Sequence, residues 1–138
     1  MKITFLRLWL FIMAAGLLTA SCKKKEECPS PSTFELLTMG DWHMYNEKVT
    51  SSSGTTELPQ DTRWVFTVNR HYYYYLGQSK TYREEGVYEL KDDTDPPELH
   101  FTKTNGVQLI YKITDISEDA MKWEYKSGDV TYTFYFER

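Results

Sequence analysis

Beyond Gly40 the chain alternates apolar and polar residues with a period of two, the pattern of strands that bury one face. Trp42 and Met44 share a face, as do Trp64, Phe66 and Val68, then Tyr72, Tyr74 and Leu76, then Gly86, Tyr88 and Leu90. Leu99 and Phe101 continue the series, followed by Leu109, Tyr111 and Ile113, by Met121, Trp123 and Tyr125, and by Val130, Tyr132, Phe134 and Phe136. The intervening positions are polar, among them His43, Arg63, Thr67, Glu89, His100, Lys112, Glu124 and Glu137. Turn-forming residues separate the segments: Ser51 to Gly54, Asn69-Arg70, Gly77 to Ser79, Asp92 to Pro97, Asn105-Gly106, Ser117 to Asp119 and Ser127 to Asp129.

Short strands joined by tight turns predict antiparallel neighbours. A meander of eight buries one face of every strand by curling until the first and last strands pair, which also removes both sheet edges. The expected fold is therefore all-β, an eight-stranded antiparallel up-and-down barrel. A two-sheet sandwich is the alternative, and the lack of a long crossover connection favours the barrel.

The first 40 residues follow other rules. Ser32-Thr33-Phe34-Glu35 matches a capping box, in which the Ser32 hydroxyl and the Glu35 carboxylate satisfy free N–H groups at a helix start. Leu36, Leu37 and Met39 follow, and Gly40 can end the helix. One or two helical turns are not stable alone, so this helix must pack its apolar side against the sheet. Cys28-Pro29-Ser30-Pro31-Ser32 reads as an extended linker. Further upstream, Lys2 and Arg7 precede an uncharged run from Leu8 to Ala20, the charged-then-apolar order of a secretory signal. The run is shorter than the roughly 20 residues that cross a bilayer. Residues 1–21 are thus expected to be a signal peptide, 22–32 a tether and 33–138 the barrel domain.

Leu18-Thr19-Ala20-Ser21-Cys22 resembles a bacterial lipobox, in which small residues precede the cysteine that is cleaved free and acylated. The resemblance implies that Cys22 bears fatty acyl chains such as palmitate. Lys23-Lys24-Lys25-Glu26-Glu27 resembles the lysine-then-acid signals that send some Gram-negative lipoproteins to the cell surface, a solvated charged tether being the alternative. Over residues 33–138 the chain resembles the lipocalin-like small lipoproteins. The features that carry this are the short N-terminal helix, the Gly40-Asp41-Trp42 triplet opening the first strand, the eight-strand meander and Arg138 after the last strand. The resemblance implies a lipocalin-like barrel whose closed end is plugged by Trp42, with Arg138 lying over it. It also implies a lipid-anchored protein of the cell envelope, held to the outer membrane on its periplasmic face or at the cell surface. The chain is shorter than a typical secreted lipocalin and has neither a long lid loop nor a disulfide, since Cys28 is the one cysteine besides Cys22.

Charge narrows the partners. The chain carries 16 basic and 20 acidic residues, and loss of Lys2 and Arg7 with the leader makes its net charge of −4 two units more negative. An acidic domain repels phosphate backbones, which argues against nucleic acid. Lys23, Lys24 and Lys25 are the exception, each able to contribute about 1 kcal/mol against anionic head groups.

No residue set points to catalysis, a metal or a cofactor. His43, His71 and His100 lack metal-ligand spacing, and prolines interrupt the acidic loop Asp92 to Pro97 where a calcium loop needs alternating ligands. Glu84 and Glu85 are strand neighbours and point to opposite faces. Tyrosine is the unusual feature, with 11 residues and a run from Tyr72 to Tyr75. The inward positions Trp64, Tyr74, Tyr88, Tyr111 and Tyr125 come from five strands and form the candidate site for a small apolar or amphipathic ligand in the barrel mouth. Ring faces would contact its apolar part and hydroxyls would orient its polar part. The alternative is a scaffold or interaction module. Its barrel core is solid, and its outward Tyr73 and Tyr75 meet a glycan or another protein. Interior volume separates the two.

Overall fold

The structure is a computed structural model that describes residues 29–138. The expected signal peptide over residues 1–21 and the acylated Cys22 lie outside the described residues. The barrel unit begins with helix α1 (Thr33–Thr38). Ser32 Oγ accepts from the Glu35 backbone N–H at 3.2 Å, and the Glu35 carboxylate accepts from the Ser32 N–H at 2.7 Å, closing the capping box. Leu36 and Leu37 are the buried residues of this single turn and a half.

Eight strands follow: β1 (Trp42–Ser51), β2 (Gly54–Phe66), β3 (His71–Leu76), β4 (Glu84–Lys91), β5 (Glu98–Lys103), β6 (Gln108–Ile116), β7 (Ala120–Ser127) and β8 (Val130–Glu137). Each pairs with the next in antiparallel register, and β1 pairs with β8, so the sheet closes on itself. The fold is an eight-stranded, all-antiparallel, up-and-down barrel, as the alternation predicts. This topology puts α1 and the β2–β3, β4–β5 and β6–β7 connections at one end, and the other four hairpin turns at the opposite end.

Residues directly opposite across an antiparallel pair share a face. Trp42 faces Trp64, Trp64 faces Tyr74, Phe66 faces Tyr72, and Trp123 faces Phe134. All of these but Tyr74 converge on one core with Leu37, Tyr88, Leu99, Phe101, Ile113, Met121 and Phe136. Two residues of the expected inward series lie elsewhere. Val68 is 73 % exposed because β2 ends at Phe66 and leaves it in the turn, and Leu76 is half exposed where β3 reaches the rim.

Three features escape the alternating pattern, one of them a register slip between Ile113 and Asp115 that turns Ile116 toward the core. The register slips between Met44 and Asn46 against both neighbours of β1, so that Glu47 pairs with Phe134 and takes the inward face at the rim. The first half of β2, Gly54 to Asp61, is polar on both faces and pairs only with β1, because β3 joins β2 from Thr62 onward. Its outer edge carries Glu57, Pro59 and Asp61, residues that discourage a further strand from adding.

Candidate functional site

At the closed end Trp42 is fully buried and its indole N–H donates to the Leu37 carbonyl at 3.1 Å. The Arg138 guanidinium lies 3.9 Å above the Trp42 ring and donates to the carbonyls of Leu36 and Glu118. One side chain thus covers the aromatic face, satisfies a free carbonyl of α1 and ties in the β6–β7 turn. On the other flank of α1, Arg70 stacks 4.2 Å over the Phe34 ring. Tyr88 belongs to this end. Its hydroxyl donates to the Thr67 carbonyl at 2.7 Å, and Arg70 lies 5.8 Å from its ring. The structure therefore does not bring Tyr88 together with the other inward tyrosines.

The middle of the barrel is filled by rings. Trp64 has Tyr74 at 5.0 Å, Trp123 at 5.5 Å and Phe101 at 6.0 Å between centroids. Trp123 in turn has Phe136 at 4.3 Å and Tyr111 at 5.3 Å. The indole N–H of Trp123 is buried without a hydrogen-bond partner. Phe66 stands at 90° to it and Phe136 at 73°, dispositions in which an N–H can meet a π face.

Toward the open end the rings become polar-tipped. Trp64 and Tyr111 border a void of about 40 Å³ together with Tyr72, Glu84, Phe101, Lys103 and Leu109. That is space for a few water molecules. Glu84 accepts from the Tyr72 hydroxyl and from Lys103 Nζ, both at 2.9 Å, and Gln60 donates to Glu47 at 2.9 Å across the rim. Tyr125 lies 5.5 Å from Tyr111 and 5.9 Å from Tyr132. Of the five inward candidates, Trp64 thus packs on Tyr74 and Tyr111 on Tyr125, the two pairs being joined through Trp123, which contacts both Trp64 and Tyr111. Glu84 and Lys103 were one step further along alternations already visible in the sequence, since Glu84 continues Gly86-Tyr88 and Lys103 continues Leu99-Phe101. Glu47 carried no such signal, because the register slip reverses its parity.

Burial, then the neighbouring Tyr125 and the carboxylates of Glu84 and Glu47, push the Tyr111 phenol up to about 12. Burial and the bond to Glu84 raise Tyr72 further still. A raised phenol pKa favours the neutral folded form. The stabilisation is fully present below the unfolded value near 10 and is lost as pH climbs toward 12. In an alkaline titration Tyr111 and Tyr72 should ionise only as circular dichroism records unfolding. Ionisation of all 11 tyrosines near pH 10 in a folded chain would contradict this placement.

The outer face of β3 carries Tyr73 and Tyr75. Arg63 covers Tyr75, its guanidinium 4.0 Å from the ring and bonded to Asp41 at 2.7 Å and to the Ser79 carbonyl at 3.3 Å. Tyr73 meets Tyr82 from the β3–β4 loop at 5.6 Å, the rings inclined at 56°. Tyr82 sits outside every alternating segment, so no periodicity marks it. Three larger hollows, of about 240, 250 and 250 Å³, lie along β4, β5, β6 and β7, bordered by residues such as Val87, Thr102, Ile110 and Lys126. Among the described residues no group of three or more His, Cys, Asp or Glu could hold a metal ion, and no helix is long and apolar enough to cross a membrane.

No family model, curated protein or solved structure matches the chain.

Proposed function

We propose that this protein is a non-enzymatic interaction module of the cell envelope, a lipocalin-like barrel with a solid core whose working surface is external. The filled interior is the observation that carries this reading. Small-molecule pockets commonly measure about 300–1,000 Å³, and the hollow bordered by Trp64, Tyr72 and Tyr111 measures about 40 Å³. A fatty acid or haem-sized guest would have to displace rings that pack on one another, at the cost of the contacts that hold the barrel together. The lipocalin-like assignment is supported by Trp42 with Arg138 stacked over it, next to a short helix that follows the linker. Anchoring through acylated Cys22 is supported by the Leu18–Cys22 motif and the three lysines after it.

The test is a screen of the mature chain by native mass spectrometry and thermal shift against fatty acids, phospholipids, haem-like molecules and quinones. No apolar compound is expected to bind stoichiometrically or to raise the melting temperature. A one-to-one complex whose affinity falls on filling the mouth with Leu109→Trp would overturn the solid-core reading and establish a ligand cup lined by Trp64, Tyr74, Tyr111 and Tyr125.

A further inference from the structure

We propose that Tyr73, Tyr82 and Glu85, on the outer face of β3, the β3–β4 loop and the start of β4, form a binding site for a neutral saccharide. This rests on the reading that the working surface is external, and it names the ligand class.

Three observations carry it. The first is that Tyr82 is exposed by construction. It is 46 % accessible, yet its loop is pinned on both sides of it. The Gly77 N–H donates to the Asp61 carbonyl at 2.8 Å, that of Ser79 to Leu76 at 3.0 Å and that of Arg83 to Tyr74 at 2.6 Å. Arg63 holds the loop at the Ser79 carbonyl as well. A ring held at the surface by an ordered loop loses little freedom on binding, the condition under which a small ligand can be retained.

The second is shape. The Tyr73 and Tyr82 rings, 5.6 Å apart and inclined at 56°, are neither stacked nor perpendicular. They are in contact with each other and together present one aromatic surface of two rings. Tyr75 does not extend it, because the Arg63 guanidinium occupies its face. The platform is therefore Tyr73 with Tyr82, rather than Tyr73 with Tyr75 as strand alternation alone suggests.

The third is chemistry. A pyranose ring presents a flat C–H face and a rim of hydroxyls. The first suits an aromatic ring, and the second needs charged or polar acceptors at its edge. Glu85 shares the Tyr73 face across the β3–β4 pair. It also lies near enough to the Tyr82 hydroxyl to raise its pKa. Ser79, Lys80, Thr81 and Arg83, from the same loop as Tyr82, are polar. The Glu85 carboxylate, paired across from Tyr73, repels the sulfate, phosphate or carboxylate groups of anionic glycans, which leaves neutral ones.

The experiment is a glycan array probed with the mature chain, followed by calorimetry with the best neutral oligosaccharide. Tyr82→Ala and Tyr73→Ala should each weaken binding by about tenfold or more. Glu85→Gln should weaken it several-fold, while Tyr82→Phe keeps most of the affinity. Tyr45→Ala, which removes an exposed ring elsewhere on the surface, should leave binding unchanged. Circular dichroism of each variant separates lost binding from lost folding. Failure of every neutral glycan to bind, binding only of anionic glycans, or binding indifferent to Tyr82→Ala would each overturn the proposal. The external-surface reading fails on a different result, an apolar guest inside the barrel, so the two are distinguishable.

Discussion

Trp42→Ala is expected to lower the stability of the barrel by about 3–5 kcal/mol, the range for truncating a large buried aromatic. The ring is fully buried at the closed end, donates to the Leu37 carbonyl, and lies beneath Arg138. Its removal leaves a cavity, an unpaired carbonyl under α1 and a guanidinium with nothing to stack on. Small domains have about 5–15 kcal/mol in total, so the variant should be partly unfolded at moderate temperature. Trp42→Phe keeps a ring and loses the N–H, and should cost less than Trp42→Ala. Urea denaturation followed by circular dichroism measures both. A midpoint for Trp42→Ala within error of the parent would mean that the closed end does not depend on this plug.

Gly86→Ala should be nearly as damaging, although it adds one carbon. Gly86 lies on the inward face between Tyr72 of β3 and Lys103 of β5. A Cβ there would stand 2.4 Å from the Thr102 carbonyl oxygen and 2.7 Å from Cε1 of Tyr72. The closer obstacle is backbone, so the β4–β5 pair would have to part. A cost of about 3 kcal/mol is expected, at the upper end of ordinary overpacking. Shrinking the neighbouring ring identifies the cause. Tyr72→Leu in the Gly86→Ala background should not restore stability, because the carbonyl remains. Full rescue in thermal denaturation would show that the ring, and not the strand pairing, demands glycine.

The barrel was legible because its inward residues repeat every second position and its turns carry Gly, Asn, Asp and Ser. Tyr72 and Tyr74 point in while Tyr73 points out, as parity requires. The signal ended where burial on one face ended. Gly54 to Asp61 is extended without alternation, because neither face of it is covered, and only its pairing with β1 makes it a strand. Glu47 could not be placed without the register slip after Met44. The upper barrel was half legible. Trp64, Tyr111 and Tyr125 were on the right face, but side-chain identity does not report whether rings leave a space or close it. Tyr88 shares their parity and sits at the other end, since alternation fixes the face of a strand and not the depth along the axis.

Closure through β1 and β8 also sets the order in which the chain can fold. Every other pairing joins strands adjacent in sequence, whereas His43 meets Glu137 across 94 residues. Seven hairpin registers can form locally, and each raises the effective concentration of the two outer strands for one another. The seam carries the largest loop-closure cost and comes last. Until residues 130–137 arrive, β1 presents an unpaired edge along Met44 to Thr50, the stretch most open to intermolecular pairing during folding. Once β8 docks, the vulnerable edge vanishes and Arg138 reaches Trp42, so the last event of folding is also the one that seals the closed end.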